Sequence, residues 1–523
     1  MYRSKEQTAY ARLIGASLDP GKPLLAGAAA GLGKTHGYAI PLIASGKQVA
    51  IAMSTRQLIA QFLNSDALQT ALAQRPATVA ALQSRREFAS SKDYREHKEQ
   101  ALSADVLVVT HAAALIDSFN PDYAGLRSRD VILFDEADLL ADAADLRSTF
   151  SIPAEGETDI GRVIANGLQS DEPEIRAAAR AIRHASEHPA GYKVIGFDDD
   201  TLMLKHRMPG RMLKPLVNEA RRVIFTSGTL QVSGRFDYFI RAIGLDGYDP
   251  ASRHIDPARH GELTVDIASD ELTDAQKAAR ILHAERPTLV LTTSHDDAAR
   301  LGALLPGAVV RGRDEPLVDA LARCEEGAIF VAAGAWSGLD NPALRWRTVI
   351  LPKVPYGPPV ELSGQQLTHY IDSRVTAVRR ICQGLHRGLR TPDARCHLAI
   401  LDPRGRRPDL LEAIPARFRT PGFAEGDEIE KELVAERLRS VSLRPAALKH
   451  YGSRCQFPGC EVAEQYKLDV HHLNPISHGA RVTRIEDVTV LCKNHHAEAH
   501  YLTKTIGQRL DISDRTVQGS ACA

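Results

Sequence analysis

Cysteine is missing from this 523-residue chain until Cys324, and only seven occur in all. That absence excludes a disulfide framework spread along the sequence and fits a reducing compartment. Net charge is missing as well. Lys+Arg and Asp+Glu each number 65, so the bulk composition announces neither a nucleic-acid nor a membrane partner, and any basic surface must be local. Long apolar runs are also lacking: the longest early one, Leu24 to Leu32, is about half the length of a bilayer span and runs into Gly33-Lys34. The opening Met-Tyr-Arg-Ser-Lys-Glu-Gln carries charge where a secretory signal needs an apolar segment. A cytoplasmic protein with no membrane partner is the expectation.

What is present is ordinary globular composition, 44% hydrophobic and 25% charged. At about 100–200 residues per domain the length suggests three or four domains. Short apolar runs recur at Pro23–Ala28, Gln48–Thr55, Asp105–His111, Asp130–Asp138 and Arg222–Thr229. Others follow at Thr288–His295, Ala328–Trp336, Thr348–Tyr356 and Arg395–Arg404. Continuous runs of this length, separated by helix-like segments, predict parallel strands buried on both faces, and hence an α/β chain in two halves, 1–232 and 233–412. Residues of about 139–212 turn Ala-, Glu- and Arg-rich and predict a helical insertion in the first half. Polar sequence over 413–441 predicts a linker. Residues 442–523 form a separate unit rich in cysteine and histidine.

Ala28-Ala29-Ala30-Gly31-Leu32-Gly33-Lys34-Thr35 follows the first strand-like run and precedes a helix-like one. Small residues such as Gly31 and Gly33 let backbone N–H groups face phosphate oxygens, while Lys34 reaches the β/γ-phosphates and the Thr35 hydroxyl binds magnesium. A strand-to-helix turn that binds nothing is the alternative for the loop alone. It is weakened by Asp135-Glu136-Ala137-Asp138, an acidic box ending an apolar strand. A nucleoside triphosphatase needs there one carboxylate for magnesium, Asp135, and one to polarise water, Glu136. In the second half Arg387 and Arg390 stand three apart on one helical face, as arginines brought to a γ-phosphate from a neighbouring domain would, although taken alone the spacing fits a solvated basic helix face better.

Taken in order, Gln7, the phosphate loop, Ser54-Thr55-Arg56-Gln57-Leu58, Ala104–His111, the acidic box, Thr226-Ser227-Gly228-Thr229-Leu230, Trp336-Ser337-Gly338-Leu339-Asp340 and Gln383–Arg390 resemble a superfamily-two helicase of the DinG/XPD-like group. The resemblance covers residues 1 to about 410. It implies two RecA-like P-loop domains and ATP-driven 5′-to-3′ translocation on single-stranded DNA. Gln7 would read adenine, Gln383 and Asp340 would lie with the nucleotide, and Ser227 and Thr229 would couple the ATP cleft to the DNA. Ser54, Thr55, Arg56, Thr293 and Ser294 would touch DNA phosphates. Two departures stand out. Residues 36–134 contain no cysteine, where many relatives hold an iron–sulfur cluster, so none is expected. The box ends in Asp138, where the group more often has histidine, which bears on the coupling contact.

Near the carboxy end, Cys455-x4-Cys460 and Cys492-x2-His495 are two short ligand pairs whose spacing suits tetrahedral zinc. A second set remains: His471, His472, Asp487, His496 and His500. His496 and His500, four apart on a helix, share a face and with His471 could clasp one ion. Together these residues resemble the zinc-containing ββα-metal fold of HNH endonucleases over roughly Leu443–Leu510. Carried across, His472 is the general base, His471, His496 and His500 hold a catalytic divalent ion, and Asp487 stands where the family has an asparagine that orients the base. The whole arrangement resembles the CRISPR-associated DinG-like helicases of type IV systems fused to HNH. That implies ATP, Mg2+ and Zn2+ as cofactors, and DNA and an RNA-guided complex with its R-loop as partners. The alternatives are a non-cleaving DNA-remodelling helicase with a structural zinc module and a stand-alone restriction or repair helicase–nuclease.

Overall fold

The computed structural model describes residues 2–29, 31–120, 123–188, 193–232, 234–256, 261–336, 344–357, 361–362, 365–367, 370–389, 393–414, 447–457, 460–463, 468–472 and 488–496. They fall into two compact units, one holding the described residues up to 414 apart from 407–409, the other those from 447 onward.

In the first unit the chain lays down β1 (Leu24–Ala28), β2 (Val49–Met53), β3 (Val79–Ala81), β4 (Val106–Thr110) and β5 (Val131–Phe134). It then makes a separate small sheet from β6 (Phe150–Pro153), β7 (Lys193–Asp198) and β8 (Thr201–His206), and returns with β9 (Val223–Ser227) and β10 (Ala251–Ile255). The main sheet is parallel throughout, in the order β10-β1-β9-β5-β2-β4-β3. Its strands β1, β2, β5 and β9 are buried along their whole length because helices cover both faces. One face packs Tyr10, Ile14, Tyr38, Leu42 and Ile51; the other packs Leu107, Phe134, Phe225 and Leu140.

A second parallel sheet follows from β11 (Glu262–Ile267), β12 (Thr288–Thr292), β13 (Val309–Val310), β14 (Ile329–Ala333), β15 (Thr348–Leu351) and β18 (Arg395–Ile400), in the order β11-β18-β15-β12-β14-β13. Between its last two strands in sequence lie a short hairpin, β16 (Glu361–Leu362) with β17 (Gln365–Gln366), and the helix Tyr370–Gly388, which packs on β15 and β18. The two halves are thus parallel-sheet α/β layers, as the apolar runs implied, and RecA-like, as the resemblance implied.

Three expectations are corrected. The insertion is not purely helical: β6, β8 and β7 form an antiparallel sheet beside the helices Ile160–Gln169 and Pro173–Glu187, around a core of Ile152, Ala179, Ile182, Leu202 and Leu204. β7 and β8 are buried only at alternate residues, so they lack the continuous apolar run that marks a strand buried on both faces. The first half does not end at 232, since β10 pairs in parallel with β1, Leu24 opposite Ala251. In the two parallel sheets four strands had no counterpart among the apolar runs, namely β3, β10, β11 and β13. All four are sheet edges, where one side faces solvent and the apolar signal is diluted.

The second unit contains β19 (Leu468–His472) paired antiparallel with β20 (Val488–Cys492), then a helical turn at 493–496. Ala447, Leu468, Val488, Val490 and Leu491 make its small core. Among the described residues no helix is long and apolar enough to cross a membrane.

Candidate functional site

β1 runs into the phosphate loop, and the helix Lys34–Ala44 starts from Gly33, whose φ of 82° is left-handed and whose missing side chain leaves the helix uncapped. Elsewhere a strand end is followed by a side-chain cap: Thr55, Thr110 and Ser294 each accept a backbone N–H from their own helix. The first N–H groups after Gly33 have no such partner and suit an anion. Gly33 is held there by contact too, because a Cβ would lie 2.3 Å from Gln7 Nε2. Gln7 is buried, donates from Nε2 to the Gly33 carbonyl at 3.0 Å and accepts from Arg3 N at 2.6 Å. The residue that the resemblance assigns to adenine therefore braces the loop with both ends of its amide engaged. Gly31 also has a left-handed φ, 80°.

β5 lies between β9 and β2 and delivers the acidic box to the same sheet edge. Asp135 accepts from the Tyr38 hydroxyl and from Glu136 N, both at 2.9 Å. Burial pushes its carboxyl up to about 6, with the neighbouring Glu136 adding and Lys34 opposing. His111, to which the sequence analysis gave no role, is wholly buried, and that burial lowers its pKa to about 4. Neutral, it donates Nε2–H to the Asp135 carbonyl at 2.8 Å and so fixes the box backbone. Glu136 takes a left-handed φ of 47°, and its carboxylate accepts from Ser227 Oγ at 3.2 Å.

Asp138 is the meeting point. It is 1% exposed and accepts from Ser227 Oγ at 2.5 Å, Thr229 Oγ1 at 2.6 Å and Gln383 Nε2 at 2.9 Å. Gln383 comes from the helix Tyr370–Gly388 of the second half. One turn earlier on the same helix, Arg379 donates to the Asp138 carbonyl at 2.6 Å and approaches Asp142 at 3.5 Å. Arg379 escaped the sequence analysis, although its four-residue spacing from Gln383 was the available signal. Arg387 donates to the Trp336 carbonyl within its own half, and Arg380 lies 5.8 Å from the Trp336 ring. Arg390 and Asp340 lie outside the described residues.

The residues assigned to DNA phosphates are distributed unevenly. Ser54 has its hydroxyl buried and unbonded, so it is not presented outward. Thr55 caps its helix, and Arg56 pairs with Glu87 at 2.9 Å on the surface. In the second half Ser294 caps its helix and Thr293 donates to Asp297 at 3.0 Å; both are exposed. Lys353, at the end of β15, reaches the same Asp297 at 2.9 Å and was not foreseen.

In the second unit, Cys455, Cys460, Cys492 and His495 bring their ligand atoms within 4.8 Å of one another. The His495 Nδ1 lies 3.6 Å from Cys455 Sγ and 3.3 Å from Cys492 Sγ, and the Sγ atoms of Cys460 and Cys492 are 4.0 Å apart. Tetrahedral zinc with its usual bond lengths needs about 3.6 Å between sulfur and nitrogen and about 3.8 Å between sulfurs. The donor set therefore fits. His495 is held by stacking on Phe457 at 3.9 Å. Burial pushes the Cys455 thiol up to about 12 in the metal-free chain, a proton that a bound metal would displace. His471 and His472 are the last two residues of β19, opposite Thr489 and Val488, and His496 is in the helical turn. Asp487 and His500 lie outside the described residues.

Residues 7–153 match the DEAD/DEAH box helicase family, so the first half carries a helicase domain of that kind. Among solved structures, "XPD_Helicase" aligns with 79% of this chain and 98% of its own length at 15% identity and a TM-score of 0.59. "XPD_APO" aligns over the same shares at 17% identity and a TM-score of 0.56. At these identities the likeness is one of fold. No curated protein matches the sequence.

Proposed function

We propose that this chain is an ATP-dependent motor that moves 5′ to 3′ along single-stranded DNA and bears a metal-dependent HNH nuclease at its carboxy end. The observation that carries the motor is the Asp138 junction. A residue of the acidic box binds Ser227 and Thr229 on its own sheet and Gln383 from the other half, so a change at the phosphate loop is felt by both halves.

The donors near the loop suit magnesium nucleotide. Asp135 and the Thr35 hydroxyl are hard oxygen ligands, and Asp135 is already oriented by Tyr38 and the Glu136 amide. Magnesium bound there neutralises phosphate charge. Lys34 and the uncapped N–H groups hold the phosphates, Glu136 orients the attacking water, and Arg387 and Arg390 approach when the halves close. Arg387 must first leave the Trp336 carbonyl, which makes its arrival depend on rearrangement. Thr55, Arg56, Thr293 and Ser294 hold the phosphate backbone without regard to sequence.

For the second unit, the support is the Cys3His set, whose separations fit tetrahedral zinc, and the order of two antiparallel strands and a helical turn, with His471 and His472 ending one strand. Zinc on the four ligands is structural. His472 acts as general base with His471, His496 and His500 around a divalent ion. The combination of motor and nuclease motifs supports recruitment to an R-loop made by a type IV guide complex.

Lys34→Ala is expected to abolish ATP hydrolysis and unwinding while leaving zinc content unchanged; retained unwinding would sink the motor. His472→Ala is expected to stop DNA cleavage with ATP and magnesium while sparing unwinding. Cleavage unchanged in that variant would leave a non-cleaving remodeller. R-loop substrates with and without the guide complex test recruitment, and equal cutting of both would reject it.

A further inference from the structure

Between β3 and β4 the helix Ser91–Ser103 has thirteen residues, and Ala101 alone is buried. A helix held only by core packing needs an apolar stripe, and this one has none. Its residues Tyr94, His97 and Lys98, spaced three and four apart, share a face that carries rings and a cation instead. Phe88, just before the helix, packs at 5.7 Å from Tyr94 and 4.9 Å from His97, both tilted. Lys98 Nζ lies 5.8 Å from the Tyr123 ring. All four rings are half-buried, so none belongs wholly to the core and each keeps surface in water.

We propose that Phe88, Tyr94, His97 and Tyr123 form a stacking platform for the bases of single-stranded nucleic acid. The assignment rests on the motor reading above and names a contact beyond its phosphate track. The platform adjoins that track through the ion pair of Arg56 with Glu87, the residue next to Phe88. Its charge argues for bases over phosphates as the main attraction. Lys92, Arg95 and Lys98 alternate with Asp93, Glu96 and Glu99 on the helix, and Lys92 pairs with Glu96 at 3.8 Å, so the local charge nearly cancels. Every base has a π face, so such a surface binds any sequence.

The test uses the full chain without nucleotide and compares two strands of equal length, oligothymidylate and the same sugar–phosphate backbone with its bases removed. Binding is followed by fluorescence anisotropy over a range of salt. Because bases add stacking to the backbone contacts, the base-bearing strand should bind roughly tenfold tighter or more. The double variant Phe88→Leu, Tyr94→Leu should lose that preference while keeping the salt slope, and Tyr94→Phe alone should retain it. Arg56→Ala should do the reverse, flattening the salt slope with the preference intact. The platform is overturned if wild type binds both strands equally, or if the double variant melts earlier yet keeps its preference, which would make the rings a local core. Wild type that binds neither strand and shows no DNA-stimulated ATP hydrolysis would overturn the motor reading as well.

Discussion

Gln383 Nε2 donates to the carboxylate of Asp138 across 2.9 Å, joining a helix of the second half to the acidic box of the first. The position where the resemblance would place histidine thus holds an aspartate with three side-chain donors, those of Ser227, Thr229 and Gln383.

Asp138→Ala orphans the Thr229 and Gln383 donors and leaves Ser227 only its longer bond to Glu136, at about 1–3 kcal/mol for each donor that stays unsatisfied. We expect DNA-stimulated ATP hydrolysis to fall tenfold or more while the KM for ATP changes little. Steady-state hydrolysis with and without single-stranded DNA checks this. Asp138→Asn, which keeps an acceptor, should fall less.

Arg379 and Arg387 should separate. Arg379 binds a backbone carbonyl of the other half, so Arg379→Ala is expected to lower the maximal rate several-fold and to weaken the response to DNA, with Arg379→Lys in between. Arg387→Ala, if that arginine reaches the γ-phosphate, should cost on the order of a thousandfold in kcat. Single-turnover hydrolysis distinguishes the two, and equal losses would count against the separation.

Gly33→Ala combines a left-handed φ with a Cβ set 2.3 Å from Gln7 Nε2. The backbone cost alone is on the order of 1–2 kcal/mol. Binding of a fluorescent ATP analogue should weaken at least tenfold, and Gln7→Ala in the same chain should restore part of it by relieving the contact.

Removing zinc should act on the second unit. Cys455→Ser, or a strong chelator, is expected to release one zinc per chain by native mass spectrometry and to remove the thermal transition of that unit. ATP hydrolysis should persist. Loss of hydrolysis along with the metal would tie the motor to the zinc site.

Much of this was legible in the sequence because the relevant signals are local. Continuous apolar runs such as Val106–Thr110 and Ile329–Ala333 exist because those strands are buried on both faces, and the phosphate loop, the acidic box and the Cys3His spacing are short enough to be read along the chain. The edge strands and the small antiparallel sheet were not, since half-solvated strands carry a weak, alternating pattern. Which residues meet across the fold was decided only by tertiary structure. Asp138 and Gln383 are 245 positions apart, Tyr10 and Thr226 216 apart, and no local rule of composition or period encodes such a pairing. The sequence determined which chemistry each segment carries; the packing of the helix Tyr370–Gly388 against the first half determined that its Gln383 and Arg379 close on the acidic box.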